Sequence, residues 1–247
     1  MPLKKSDTSW IELDIVDSTN NYAMGLIHAG VAQHGTVVFA HYQNKGKGQR
    51  GKSWETEPGA NLSFSIILQP HFLLPTQMFQ LLAVTAVSVR QELEKFIGNE
   101  AKIKWPNDLY WRDRKTGGIL IENVLRGTQW QWAIAGIGIN VNQTTFGQLQ
   151  NPVSIKQITG KETQVKELAK ATHVNLLDSL LKLEKEGFEE FLQQYNRQLY
   201  KKGEQVTLKK RNRSFTTTIN GVSRQGQLQT GIEVEENFDF GEVEWVL

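Results

Sequence analysis

The chain has 247 residues, 28 Lys plus Arg against 26 Asp plus Glu, and no cysteine. That excludes disulfides, thiolate metal centres, iron–sulfur clusters and a cysteine nucleophile. No stretch approaches the ~20 apolar residues of a membrane span. The net charge of +2 argues against a general nucleic-acid binder. The opening Met1-Pro2-Leu3-Lys4-Lys5-Ser6-Asp7 lacks the apolar run of a secretory signal, so we expect a soluble cytoplasmic protein.

Taken in chain order, Trp10 to Val16 alternates as a first strand. Asp17-Ser18-Thr19-Asn20 offers N-cap oxygens to a helix that Gly30 ends. Thr36 to Tyr42 reads as a buried strand and residues 43–61 as a polar, Gly-rich loop. Leu62 to Leu68 is the next strand, and the apolar periodicity of Thr76 to Ile97 predicts a long helix. Ala101 to Trp105 is a short strand stopped by Pro106. Gly118–Leu125 and Trp130–Val141 form a hairpin around Arg126-Gly127. Val165 to Tyr200 is read as two helices broken near Gly187. After Lys202-Gly203 the pattern changes to short strands: Val206–Leu208, Phe215–Ile219, Gln227–Leu228, Ile232–Val234 and Glu242–Val246. We therefore expect an α+β domain over 1–202, a mixed sheet flanked by helices, and a small β-barrel over 203–247.

Charge is unevenly placed. Lys45, Lys47, Arg50 and Lys52 stand among glycines, while the basic Lys209–Arg213 run and the acidic residues after Glu233 read as solvated faces. Gly46-Lys47-Gly48-Gln49-Arg50-Gly51-Lys52-Ser53 fits both the P-loop pattern and G-x-G-x-x-G. Either reading needs a helix directly after the loop, whose N-terminal amides hold phosphate. Trp54-Glu55-Thr56-Glu57-Pro58-Gly59 leaves no room for one. Glycine amides and cations remain, a combination suited to a nucleotide phosphate or a carboxylate.

Further along, Lys104-Trp105-Pro106-Asn107-Asp108 holds Asn107 and Asp108 at a strand end. Lys115 precedes Gly117-Gly118 and a strand that runs to Glu122, and Gly136-Ile137-Gly138-Ile139-Asn140 leaves a backbone open to close packing. With Asp17–Asn20 and Gln43, these runs resemble the biotin–protein ligases in order and spacing, from about Trp10 to the C-terminus. That family's fold is a mixed sheet flanked by helices, related to class II aminoacyl-tRNA synthetases, with an SH3-like C-terminal domain. The break read at Gly203 agrees with it.

The resemblance implies that biotin and ATP, with Mg2+, are joined as biotinyl-AMP. The biotinyl group then passes to a lysine of a biotin carboxyl carrier domain. It implies catalytic roles for Lys115, Asp108 and Arg50. Biotin contacts map to Ser18, Thr19, Asn20, Gln43, Lys47, Gly48, Gln49, Lys115, Gly117 and Gly118. Nucleotide contacts map to Arg50, Lys52, Trp54, Asn107, Asp108 and Asn140. Gln49 stands where many members carry arginine, a residue that helps retain the activated intermediate, and Lys47 replaces another frequent arginine. The residues before Asp17 are too few for the helix-turn-helix domain of some members, so a ligase without repressor activity is expected. We expect no resident metal, since the 5 histidines show no ligand spacing. We expect no nucleic-acid partner, and either a monomer or a homodimer. The competing readings are a lipoate–protein ligase of the same fold and, from other classes, a P-loop hydrolase or a basic nucleic-acid-binding module.

Overall fold

The computed structural model describes residues 9–147, 151–231 and 235–246. Strand β1 (Trp10–Val16) leads through helix α1 (Thr19–His28) to β2 (Val37–Gln43), and the two strands pair in parallel. Strand β3 (Leu62–Leu68) and helix α2 (Met78–Ile97) follow. Strands β4 (Ala101–Lys104), β5 (Asp108–Trp111), β6 (Arg114–Arg126) and β7 (Gln129–Ile139) complete the sheet. Helices α3 (Ile155–Thr159), α4 (Val165–Glu186) and α5 (Glu189–Arg197) then close over it. The order is β1-β2-β3-β7-β6-β5-β4, antiparallel except for the first pair. This is the expected mixed α+β sheet.

Strand β3 is buried along its whole length because both faces are covered. Leu62, Phe64, Ile66 and Leu68 enter the main core with Leu81, Val84 and Leu93 of α2. Ile67 points the other way and meets Val38, Ile134 and Ala23 beneath α1. Ser63 and Ser65 share that second face by the two-residue period of a strand. Helix α1 covers part of the sheet on this side, and beyond it Gly118, Gly136 and Gly138 of β6 and β7 floor a cavity.

The later strands form a small antiparallel sheet that matches the expected SH3-like unit. It comprises β8 (Gln205–Lys210), β9 (Arg213–Val222), β10 (Leu228–Thr230), β11 (Glu236–Phe238) and β12 (Glu244–Val246), in the order β11-β10-β9-β8-β12. Its Leu208, Ile219, Val222, Leu228 and Phe238 join the same buried cluster as the first sheet's residues. Asn196 of α5 fastens the junction, accepting from Val222 N at 2.7 Å and donating to Val222 O at 3.0 Å.

Several boundaries differ from the sequence reading. The strand expected to reach Trp105 stops at Lys104, because Trp105-Pro106-Asn107 turns the chain straight into β5, which was not expected. The hairpin strand expected to begin at Gly118 begins at Arg114, so Lys115 lies in a strand rather than a turn. Helix α3 was also not expected, although Ser154 and Gln157 form a reciprocal capping box at its start. The strand read at Ile232–Val234 lies outside the described residues, and β11 was missed.

Candidate active site

One row of residues crosses the cavity face of the sheet. The pairings Lys104–Asp108, Asp108–Gly118, Gly118–Gly138 and Gly138–Ser63 place all five side-chain positions on the same side. The row is charged at β4 and β5, bare at the two glycines, and hydroxylated at β3. The next row on this face runs Leu120–Gly136–Ser65. Bare backbone at Gly118, Gly136 and Gly138 leaves the floor low, beneath a cavity of about 600 Å3. Two of these glycines are required by what lies over them. A Cβ at Gly136 would overlap the Asn20 amide, and one at Gly138 would overlap the Trp54 indole.

Lys115 joins this face through a defect in the ladder. Leu109 pairs with Gly117, yet Tyr110 pairs with Lys115, so Thr116 is extruded as a bulge. In regular register Thr116 would oppose Tyr110, and Lys115 would point to the opposite face. With the bulge, Lys115 Nζ reaches Asp108 Oδ1 at 2.6 Å over the bare Gly118. The Lys115 backbone is held from the other side. Its N–H donates to Asn151 O at 2.7 Å, and its carbonyl accepts from Val153 N at 2.8 Å and from Asn140 Nδ2 at 3.3 Å.

The turn before β5 is fixed equally firmly. Asn107 donates its side-chain amide to Ile119 O at 2.6 Å and accepts from Ile119 N at its own carbonyl at 3.0 Å. Tyr195 Oη donates to Pro106 O at 2.9 Å, and Trp105 Nε1 donates to Gly226 O of the small sheet at 2.9 Å. Lys104 is buried at this end, donating to Tyr110 Oη at 3.1 Å with its Nζ 5.3 Å from the Trp245 ring. Burial pulls its pKa down to about 8, against the raising effect of Asp108 and with Lys115 and Lys52 lowering it further.

The opposite end of the cavity is lined by uncharged hydrogen-bonding side chains, Ser18, Thr19, Asn20 and Gln43, with the Glu122 carboxylate behind them. Gln43 Oε1 accepts from Thr19 N at 2.7 Å and from Thr19 Oγ1 at 3.0 Å. Both acceptor sites of that oxygen are thus engaged, which fixes the amide orientation and leaves Nε2, on the Gly46 side, as the donor. Asn20 Nδ2 donates to Glu122 Oε2 at 2.7 Å, while its Oδ1 lies 2.6 Å from Ser65 Oγ. Ser65 Oγ is also 2.7 Å from Thr19 Oγ1. The network is buried at Thr19, Asn20, Gln43 and Ser65, half-buried at Glu122, and joins three strands to the start of α1.

The Gly-rich loop makes one 3-10 turn at Gln49–Gly51 and folds back over the cavity, and no helix follows Ser53 before β3. Gly48 N donates to Lys52 O at 2.7 Å and Trp54 N to Gly46 O at 2.9 Å, and the next regular strand is β3. This removes the P-loop geometry. Lys47 Nζ lies 3.7 Å from Glu122, Lys115 Nζ lies 5.8 Å from the Trp54 ring, and the Arg50 guanidinium lies 5.2 Å from the Phe240 ring.

Of the residues singled out from sequence, Ser18, Thr19, Asn20, Gln43, Asn107, Asp108, Lys115 and Gly118 line this one cavity, as do Lys47 through Arg50, Lys52 and Trp54 of the loop. Gly117 and Asn140 stand behind the lining. Gly117 packs under the Gly138 carbonyl, and Asn140 spends its amide on the Lys115 backbone. The sequence reading gave no role to Lys104, Ser65, Glu122, Phe240 or Trp245. Lys104 was signalled by its place in the Lys104–Asp108 run; Phe240 and Trp245 carried no local signal at all.

The profile of the biotin/lipoate A/B protein ligase family matches residues 12–140, more than half of the chain. The chain belongs to that family. The match contains the whole Gly-rich loop, the Lys104–Asp108 run and the Lys115 strand. Among curated relatives, the bifunctional ligase/repressor BirA of Escherichia coli is 35% identical over 129 residues, 52% of this chain and 39% of that protein. The biotin–protein ligase of Homo sapiens is 27% identical over 208 residues, 79% of this chain and 28% of that one. The similarity thus spans well under half the length of these relatives. Among solved structures, the biotin protein ligase from Aquifex aeolicus in complex with biotin and ATP superposes with a TM-score of 0.81 at 29% identity, covering 96% of this chain and 97% of that one. Within the biotin/lipoate ligase family, the likeness at this coverage includes the small C-terminal sheet.

Proposed function

We propose that this chain is a biotin–protein ligase, with a catalytic unit over 1–202 and an SH3-like unit over 203–247. It converts biotin and ATP to biotinyl-AMP and passes the biotinyl group to a lysine of a biotin carboxyl carrier domain. The observation that carries this reading is the two-ended cavity, with a neutral amide and hydroxyl network at one end and a cationic cluster around Asp108 at the other.

A ureido ring fits the neutral end because it has one carbonyl and two N–H groups to match. Gln43 Nε2 is the donor for the carbonyl, and Ser18, Thr19 and Asn20 supply the remaining short polar contacts. Lipoate, whose dithiolane has no such groups, would leave the Gln43 Nε2 donor without a match, at a cost of about 1–3 kcal/mol. The same geometry therefore favours biotin over lipoate.

In the first step a biotin carboxylate oxygen attacks the α-phosphorus of ATP, and the bond to pyrophosphate breaks. Two anions meet, so positive charge must be waiting where they join. Lys115 provides it from the sheet, Lys104 from the β4 end, and Lys47, Arg50 and Lys52 from the loop. One cation at ~4 Å and an effective dielectric near 20 contributes about 4 kcal/mol. Magnesium arriving with ATP would neutralise part of the triphosphate charge. Asp108 offers it one carboxylate oxygen, in keeping with an ion held mainly by substrate phosphates and water. Among the described residues there is no cluster of three metal-ligating side chains that would hold an ion without the nucleotide.

In the second step the neutral amine of the acceptor lysine attacks the biotinyl carbonyl, an amide forms, and the bond to AMP breaks. Asp108, facing the cavity at the first position of β5, orients the amine and takes its proton. The test of the first step is biotin-dependent exchange of pyrophosphate into ATP. The reading expects exchange with biotin and none with lipoate; exchange with lipoate alone would refute it.

A further inference from the structure

The loop residue Arg50 and the C-terminal Phe240-Gly241 belong to different units of the fold, yet they meet over the cavity. Three observations converge there. The Arg50 guanidinium lies 5.2 Å from the Phe240 ring centroid, within cation–π range. The guanidinium occupies the space a Cβ would take at Gly241, whose φ of 90 already favours glycine. Arg50 itself has φ 56 and ψ 39, a left-handed conformation that costs a non-glycine residue roughly 1 kcal/mol or more. Such a conformation persists where surrounding contacts hold it.

Phe240 is half-exposed, so core packing does not account for its position. It is aligned from behind by Trp105, whose ring meets it edge-on at 6.2 Å. Trp105 is in turn anchored to the small sheet by its bond to Gly226 O at 2.9 Å. The seat is therefore built from the turn that carries Asn107 and Asp108 and from the C-terminal sheet together.

We propose that Phe240 and Gly241 form a seat for the Arg50 side chain, so that the C-terminal sheet, and not the Gly-rich loop alone, holds the loop over the nucleotide end of the cavity. Phe240 is thus a positioning residue acting through Arg50. The seat lies next to Gln49, where the sequence lacks the arginine frequent in the family. It gives the loop a second attachment that does not depend on position 49. The nucleotide role of the seat rests on the ligase reading; the contact itself does not.

The test separates the two. Ligand-free protein is treated with trypsin, and cleavage after Lys47 and Lys52 is timed by mass spectrometry, with cleavage after Lys185 as an internal standard. Loss of a cation–π contact at this exposure corresponds to a change of about two- to fivefold. Phe240→Ala and Gly241→Val should each speed loop cleavage by about that factor and leave Lys185 cleavage unchanged, and Phe240→Tyr should restore the wild-type rate. Arg50→Ala should speed it equally, and adding Phe240→Ala to Arg50→Ala should do nothing more. In the exchange assay, Phe240→Ala should raise KM for MgATP by a similar factor with KM for biotin unchanged. Wild-type loop cleavage in Phe240→Ala, or additive effects in the double variant, would overturn the proposal. Absence of exchange in the wild type would instead defeat the ligase reading and leave the proteolysis result standing.

Discussion

Lys115 Nζ lies 2.6 Å from Asp108 Oδ1, and the pair meets only because Thr116 is extruded from the β5–β6 ladder. A cation is thereby set against a carboxylate on the floor of the cavity, with bare Gly118 between the strands to let them approach.

Lys115→Ala should lower biotin-dependent ATP–pyrophosphate exchange on the order of a thousandfold, the equivalent of about 4 kcal/mol in the barrier. Thermal unfolding should change little, since the side chain is partly exposed. Near-normal exchange would remove Lys115 from the chemistry.

Gln43→Leu keeps the volume and deletes the acceptor used by Thr19 together with the donor proposed for the ureido carbonyl. KM for biotin should rise by about ten- to a hundredfold, in line with 1–3 kcal/mol for buried unpaired groups. KM for MgATP should not move. A proportional rise in both would mean that Gln43 serves the fold rather than the ligand.

Gly136→Ala places a methyl on the Asn20 amide and must push it away from Ser65 and Glu122. Biotin binding by calorimetry should weaken by at least tenfold, with a stability loss of about 1–3 kcal/mol for overpacking. Unchanged biotin affinity would show that the Asn20 position is not part of the pocket.

Lys104 gives a pH signature. Burial holds its pKa at about 8, so the free enzyme loses this cation as pH rises through that value. The profile of kcat/KM for MgATP should fall above pH ~8, and Lys104→Arg should abolish that limb because guanidinium stays charged. The stability sign is opposite. The folded pKa lies below the unfolded one, so the unfolded chain binds more protons between about pH 8 and 10.5. This group's burial penalty is therefore greatest below pH 8 and is relieved as pH rises. Lys104→Met should raise stability at pH 7 more than at pH 10, as urea titrations would show; the reverse order would contradict the assignment.

Much of this was legible in the sequence because the signals were local. β1 and β3 show clear alternation or continuous burial, and Gly187 with φ 84 ends α4 at the expected break. The Gly-rich loop was correctly denied a helix by the residues that follow it. What was not legible depends on pairing. β5 is four residues long, starts with Asp108 and runs into Arg112-Asp113-Arg114, so only its neighbours β4 and β6 make it a strand. The bulge at Thr116 has no signature of its own, yet it decides where Lys115 points. Phe240 and Trp245 reach the cavity from a sheet whose docking is set by Asn196 and Trp105, contacts that no spacing rule encodes. The acidic C-terminal run, read as a solvated face, puts Glu244 on the cavity wall.

Incubating the protein with biotin, MgATP and a biotin carboxyl carrier domain and weighing the acceptor by mass spectrometry decides whether the cavity supports ligation. The acceptor should gain one biotinyl group on a single lysine, dependent on both biotin and ATP and absent with Lys115→Ala. An acceptor of unchanged mass, in the presence of folded wild-type protein, would contradict the ligase reading.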